Sequence, residues 1–203
     1  LMNKHLGVIL FFIILLASST VGAERLFLDK KGNEFCFDWV AAGDLHEEEQ
    51  LFIQVFKELY KDVPEVYFGS EGLVAMLQRI FDEEKAKHNF ISVKKDDDVV
   101  GFVSFRETER DHEIYLKLIA VDPAYRQCGI GKELILSILR ELPNTEKFVL
   151  DTRKTNKVVI SFCKEFGFKS RACFDKTLPQ EWYIGFEVEV SDILTKIGHL
   201  FEV

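Results

Sequence analysis

The sequence predicts a mixed α/β fold, one sheet with helices on both of its faces. After one strand pattern come two amphipathic helical patterns, three strand patterns then follow one another between residues 90 and 121, and strands alternate with helices only from there to residue 166. Strands in immediate succession favour antiparallel pairing, whereas a strand–helix–strand passage brings parallel strands together, so the combination calls for a mixed sheet. The chain has 203 residues, 47% of them hydrophobic and 30% charged, which is enough for one domain with a sizeable core.

Residues 1–23 read as an export signal. Lys4 and His5 open it, Val8 to Ala17 is unbroken apolar sequence, and Val21-Gly22-Ala23 puts small residues where a signal peptidase cuts. The run from Leu6 to Ala23 nearly reaches membrane-spanning length, so an uncleaved anchor is the alternative, and the membrane is met only through this segment. Residues 24–203 then form a single domain, periplasmic or secreted if the signal is used.

Within that domain Phe35 to Val40 reads as a first strand. Asp44, with Glu47 three residues on, resembles a capping box, and Phe52, Val55, Phe56 and Leu59 give the i, i+3, i+4, i+7 stripe of an amphipathic helix. Pro64 interrupts, and a second helix starts near Ser70 with Leu73, Leu77, Ile80 and Phe81 inward. Phe90 to Val93 and Val99 to Phe105 flank the polar tip Lys95 to Asp98, a hairpin pattern. Glu113 to Val121 is a third strand; period-two counting places Glu113, Tyr115, Lys117, Ile119 and Val121 on one face. A helix then runs to Pro143, and Phe148 to Asp151 is the next strand. The helix from Asn156 to Phe166 carries the stripe Val159, Phe162, Cys163 and Phe166, with Gly167 as C-cap. Phe168 to Phe174 and Trp182 to Val188 form a last hairpin, and Ser191 caps an extra C-terminal helix, 191–203, with Ile193, Leu194, Ile197, Leu200 and Phe201 inward.

The functional signal sits between the third strand and its helix, in Arg126-Gln127-Cys128-Gly129-Ile130-Gly131-Lys132. A strand feeds a glycine-containing turn at a helix N-terminus, where unpaired N–H groups and the positive end of the helix dipole suit a phosphate. A net charge of −8 argues against non-specific nucleic-acid binding. Cys36, Cys128, Cys163 and Cys173 show no CxxC pair and no cysteine–histidine cluster of zinc-ligand spacing, so no metal site is expected.

The segment Arg126 to Gly131 resembles the Gln/Arg-x-x-Gly-x-Gly/Ala signature of the GNAT acetyltransferase superfamily, and Asn156 to Phe168 is similar to that family's second element, an Asn-led helix ending in a Gly-Phe step. The resemblance spans residues 33–189 and implies a central, mostly antiparallel twisted sheet with one splayed parallel strand pair. It implies acetyl-CoA as co-substrate and a small-molecule or peptide amine as acceptor. Backbone N–H groups of Gln127, Cys128, Gly129, Ile130, Gly131 and Lys132 would hold the pyrophosphate, Ile119 and Val121 the pantetheine amides, and Asn156 the pantetheine arm; Arg126 would reach a phosphate or a carboxylate. The Val121 N–H would serve as oxyanion donor.

Acetyl transfer to an amine needs a base, because amines are mostly protonated at pH 7, and something that protonates the leaving thiolate. Glu113, eight residues before Val121, matches in offset the glutamate of family members that acetylate protein N-termini, and Lys117 nearby favours its ionised form; a solvent-facing strand-start carboxylate is the other reading, and His112 is a competing base. The family's helix commonly carries a tyrosine as acid where this chain has Cys163. Cys163 is therefore either a short substitute donor or an inert thiol on the apolar stripe, with Tyr125 and Tyr115 as other acids. By resemblance the region of Glu47, Glu48 and Glu49 shapes the acceptor site, where these residues attract a cation or merely solvate a helix start. The alternative function is a non-catalytic acyl-CoA-binding or exported interaction module on the same fold.

Overall fold

The computed structural model describes residues 25–41, 43–61, 63 and 71–198. The export segment, the Pro64 break, the Ser70 helix start, Leu200 and Phe201 lie outside these residues, as does the side chain of Ile197. Among the described residues no helix is long and apolar enough to cross a membrane.

Eight strands form one sheet: β1 (Arg25–Leu28), β2 (Glu34–Val40), β3 (Asn89–Lys95), β4 (Asp98–Glu107), β5 (Glu113–Val121), β6 (Lys147–Arg153), β7 (Lys169–Arg171) and β8 (Tyr183–Glu189). Their order is β1-β2-β3-β4-β5-β6-β8-β7, and every pair is antiparallel except β5 with β6. Helices α1 (His46–Tyr60) and α2 (Gly72–Lys85) cover one face; α3 (Ile130–Glu141), α4 (Lys157–Phe166) and α5 (Val190–Gly198) cover the other. The α1/α2 face closes on Phe52, Leu77, Phe81, Phe90 and Phe102, and the α3/α4 face on Leu134, Ile135, Ile138, Phe148 and Cys163. Each phenylalanine removed from water there contributes on the order of 2–3 kcal/mol.

The mixed sheet, the hairpin tip and the Gly167 C-cap are as the sequence predicts. Asp96 and Asp97 take φ of 51° and 71°, the left-handed pair of a two-residue hairpin turn. Gly167, at φ 83°, donates to Cys163 and Lys164 carbonyls, and the Lys196 ammonium of α5 reaches the carbonyls of Lys164 and Glu165, a cation set against the negative end of α4.

Four readings change. The capping box does not form: Leu45 is the N-cap of α1, with no side-chain cap. Glu48 is no solvated helix-start residue; it is buried and accepts the Ser92 hydroxyl at 2.5 Å. Leu194 is half exposed, while Ile193 alone of that pair enters the core. The period-two face of β5 is broken, because Ser104 faces Leu118 while Phe105 faces Leu116, which leaves Lys117 as an extra residue in a β-bulge. Ser104 Oγ accepts the Leu118 N–H at 3.1 Å and holds the bulge. Glu113 and Tyr115 therefore face away from the core that Ile119 and Val121 pack against.

Candidate active site

The parallel pairing of β5 with β6 runs only from Glu113↔Lys147 to Leu116↔Leu150. Beyond Leu116 the strands part, and the bulge at Lys117 sits where they do. The Asp122 N–H donates to the Val100 carbonyl on β4 at 2.9 Å. Alternation then turns the backbone groups of Ile119 and Val121 the other way, into a gap where β6 offers them no partner. The Arg126 Nε donates to the Val121 carbonyl from that side at 3.3 Å.

At the far end of the gap the chain makes a tight reversal. Gln127 at φ 63° and Gly129 at φ 88° are left-handed, and Gly129 is the N-cap of α3. The first intrahelical bond joins the Glu133 N–H to the Gly129 carbonyl at 3.1 Å, so the N–H groups of Ile130 and Gly131 precede the ladder at the helix end. This is an anion-binding concavity. A Cβ on Gly131 would stand 3.3 Å from the Phe162 ring, so α3 and α4 meet closely under it. Asn156 caps α4, its Oδ1 accepting the Val159 N–H at 3.2 Å, which leaves its amide nitrogen as the end able to meet a ligand.

The strand that the sequence reading missed, β1, supports the turn. Phe27 lies 3.3 Å from where a Gly129 Cβ would be. The Asp29 carboxylate accepts the Lys31 and Asn33 N–H groups, the Asn33 amide and the Cys128 thiol; these bonds, that of the Asn33 side chain foremost, hold its pKa at about 2. Arg25–Leu28 follows closely on the apolar sequence before it and carries too little alternation to be seen as a strand.

On the α1/α2 face of the gap a cluster assembles from elements far apart in sequence. The Tyr115 hydroxyl donates to Asp151 Oδ2 at 3.3 Å, bridging β5 and β6 just before they part. The same carboxylate accepts the Phe174 and Asp175 N–H groups, both at 2.8 Å, and Phe174 stacks on Tyr115. Lys117 lies 3.5 Å from Glu84 and 3.9 Å from Asp175. Burial pushes the Glu84 carboxyl up, but the His88 hydrogen bond and Lys117 outweigh it and hold the pKa below the usual value. Asp175 is likewise lowered, against its burial, by Thr177, Lys117 and Arg106. Burial, then Asp151 and Asp175, drive Tyr115 far above an ordinary phenol.

Glu113 stands at the zipped end of the parallel pair, 3% exposed. Its Oε1 accepts the Thr108 hydroxyl at 3.0 Å, Arg110 is 3.6 Å from Oε2, and Oε2 has no hydrogen-bond partner. His112 is exposed in the preceding loop, with φ 59°. Cys163 is wholly buried under α4, and burial raises its pKa to about 12. Tyr125 turns away from β6, its ring edge-on to Phe35 and 5.8 Å from Lys95. The structure thus brings together the turn, Ile119, Val121 and Arg126, and it separates Glu113, Cys163 and Tyr125. All four cysteines are free thiols, and among the described residues no group of three or more His, Cys, Asp or Glu side chains could hold a metal.

Residues 53–168, more than half of the chain, match the Acetyltransferase (GNAT) family. Among solved structures, the PaiA N-acetyltransferase from Thermoplasma acidophilum in complex with coenzyme A is similar at 18% identity and TM-score 0.61, over 76% of this chain and 98% of that one. The ribosomal-protein-S18-alanine N-acetyltransferase from Escherichia coli is similar at 16% identity and TM-score 0.53, over 77% and 94%. A GNAT acetyltransferase from Listeria monocytogenes shares 15% identity at TM-score 0.52, over 81% and 99%. At these identities the likeness is one of fold. No curated protein matches the chain.

Proposed function

This chain belongs to the GNAT acetyltransferase family, and from that premise we propose that it moves an acetyl group from acetyl-CoA to a primary amine by direct attack of the amine on the thioester. The observation that carries the reading is the strand split: backbone groups of Ile119 and Val121 face a gap without a strand partner, and the gap leads to the left-handed turn at the head of α3. That pattern fits a ligand with amides along its length and a pyrophosphate at one end, which is the chemistry of coenzyme A. The coenzyme A bound by the Thermoplasma protein on the same fold is consistent with it.

In this reading the turn from Gln127 to Lys132 holds the pyrophosphate, Ile119 and Val121 hold the pantetheine amides, and the Asn156 amide nitrogen meets the arm. The thioester supplies an activated acetyl group. Laid along β5 from the turn, it ends where the gap closes, beside the Lys117 bulge. The amine approaches from the α1/α2 face, attacks the thioester carbonyl and loses its proton through water to a carboxylate, while the C–S bond breaks and coenzyme A leaves as a thiolate that takes a proton from water. Two of the carboxylates on that face are the candidates: Glu113, with an unpartnered oxygen at the closed end, and Asp175, beside the open gap. Cys163, with a pKa near 12, holds its proton too tightly to give it to a thiolate, and we assign it to packing. Export through residues 1–23 belongs to the same proposal; cell fractionation with an epitope after Val203 tests it.

The decisive experiment is thiol release from acetyl-CoA against a panel of amines, polyamines, amino acids and peptides. Release with none of them, alongside normal CoA binding, would make the chain a binding module instead. With an active acceptor, Glu113→Gln and Asp175→Asn are compared across pH. The variant that flattens the acidic limb of the pH–rate profile identifies the base, and its affinity for acetyl-CoA stays unchanged.

A further inference from the structure

The arginines divide into two groups. Arg25, Arg79, Arg110, Arg140 and Arg171 each lie within ion-pair distance of a carboxylate. Among the described residues Arg106, Arg126 and Arg153 have no such partner: Arg126 stands at the turn, Arg153 ends β6 past the split, and Arg106 lies one strand away on β4, opposite Tyr115. In a chain of net charge −8, carboxylates are plentiful, so an arginine left without one marks a place where negative charge is kept away.

Arg153 is the most organised of the three. It ends β6, past the split, on the face that carries Asp151, and it pairs in register with Tyr183 of β8. Its guanidinium stacks 4.2 Å from the Tyr60 ring centroid and 5.6 Å from that of Tyr183, and its Nε donates to the Tyr183 hydroxyl at 3.2 Å. Tyr60 is nearly buried, so the clamp is partly shielded from water. The Nε bond to Tyr183 and a further hydrogen bond to the Tyr60 hydroxyl fix the guanidinium, and of its five N–H donors these two partners leave three. A planar fork held in this way fits a carboxylate through two hydrogen bonds. Arg106, over Tyr115 and Phe174, is already partly neutralised by Asp175.

We propose that Arg153, clamped between Tyr60 and Tyr183, anchors a carboxylate of the acceptor, so that the amine acetylated belongs to an amino-acid-like molecule. The inference rests on the acetyltransferase reading and names its substrate class. The carboxylates of Asp151 and Asp175, on the same face, suit the ammonium end, and Arg153 suits the acid end. An acceptor carrying both charges matches both; a simple polyamine matches only the first.

The test compares amino acids with their amides. In thiol release, the wild-type protein favours the acid over its amide by about tenfold or more in kcat/KM, the worth of one charge-assisted fork. Arg153→Met, which keeps apolar bulk between the tyrosines, brings that ratio to about one, and Arg153→Lys gives an intermediate ratio. Arg140→Met, on the opposite side of the sheet, leaves the ratio as it was. A wild-type ratio near one, or a ratio that survives Arg153→Met in a folded protein, overturns the proposal. A second readout does not depend on turnover: calorimetric binding of N-acetylamino acids and N-acetylamino amides to the CoA-loaded protein. Tighter binding of the acid, lost in Arg153→Met, upholds the anchor even if no amine releases thiol, in which case it is the acetyltransferase reading that falls. Equal binding of acid and amide, or no binding of the acid, overturns the anchor while leaving thiol release to stand by itself.

Discussion

The two sides of the split in the sheet carry their chemistry on different parts of the chain. On the turn side the groups open to a ligand are backbone N–H and C=O groups, contributed by one continuous stretch from Ile119 to Lys132 and aimed by local conformation. On the α1/α2 side they are side chains from α2, β5, β6 and the β7–β8 connection: Glu84, Lys117, Asp151, Arg153 and Asp175. A backbone site is indifferent to most substitutions but intolerant of those that change its dihedrals. A side-chain site tolerates local backbone changes poorly in another way, because its members are placed by long-range packing. The two sides should therefore fail separately, and variants can be chosen to show it.

The largest effect is expected on the side-chain side. A Cβ at Gly185 on β8 would lie 2.5 Å from the Ala172 carbonyl oxygen and 3.0 Å from Asp151 Oδ1. The backbone there cannot yield without moving the segment that carries Phe174 and Asp175. Gly185→Ala is expected to cost about 1–3 kcal/mol or more as overpacking and to lower Tm by several degrees. Amine turnover should drop more than about tenfold while CoA affinity holds within about threefold. A parallel loss of CoA affinity would show that the sides are coupled through β6 and would break the comparison.

Gly129→Val attacks the other side. The residue must hold φ 88° and would press on Phe27, and a non-glycine left-handed residue costs about 1–2 kcal/mol. CoA affinity should fall about tenfold or more, with a smaller shift in Tm. Isothermal titration with CoA checks it; unchanged affinity would mean that the turn does not hold the pyrophosphate.

The same division explains what was legible in the sequence. The turn, the helix starting at Asn156 and the Gly167 stop are short-range patterns; each appears where its residues predict it, with Asn156 as the cap and not the first helical residue. The cluster on the α1/α2 side is not short-range: Glu84 and Asp175 lie 91 positions apart, and nothing in either neighbourhood marks them as partners of Lys117. The bulge at Lys117 was invisible because Glu113 to Val121 reads as unbroken alternation, and only the pairing of β4 with β5 shows the extra residue. Counting by twos across it placed Glu113 on the same face as Ile119, and the structure places it on the other. Cys163 was ambiguous because a stripe position shows that a side chain points inward, not whether it reaches the gap.

Cys163 also provides a smaller test, since it belongs to neither side. Cys163→Ala removes a sulfur from a filled core and should cost about 1 kcal/mol, a few degrees in Tm at most, with turnover at saturating substrate within about twofold of the parent. Turnover collapsing in a folded Cys163→Ala protein would return the thiol to the chemistry and put an acid on α4 after all.

The smallest effect concerns how the turn is supported. Asp29 closes the β1–β2 connection through the Lys31 and Asn33 N–H groups and touches Cys128, so it ties β1 to the turn that Phe27 packs against. Its folded pKa of about 2 lies below the ordinary 3.8. A depressed carboxyl stabilises the folded state above its unfolded pKa, and that contribution is lost as pH falls from about 4 toward 2. Asp29→Ala should therefore melt slightly below the parent at pH 6, and the difference should shrink through that window as protonation does in the parent what the substitution does in the variant. CoA affinity at pH 7 should weaken about two- to threefold, through a looser Phe27 against Gly129. A Tm difference that stays constant down to pH 2 would show that the aspartate acts by shape and not by charge. Unchanged CoA affinity would free the turn from β1 altogether, leaving its geometry to Gly129 and the head of α3 alone.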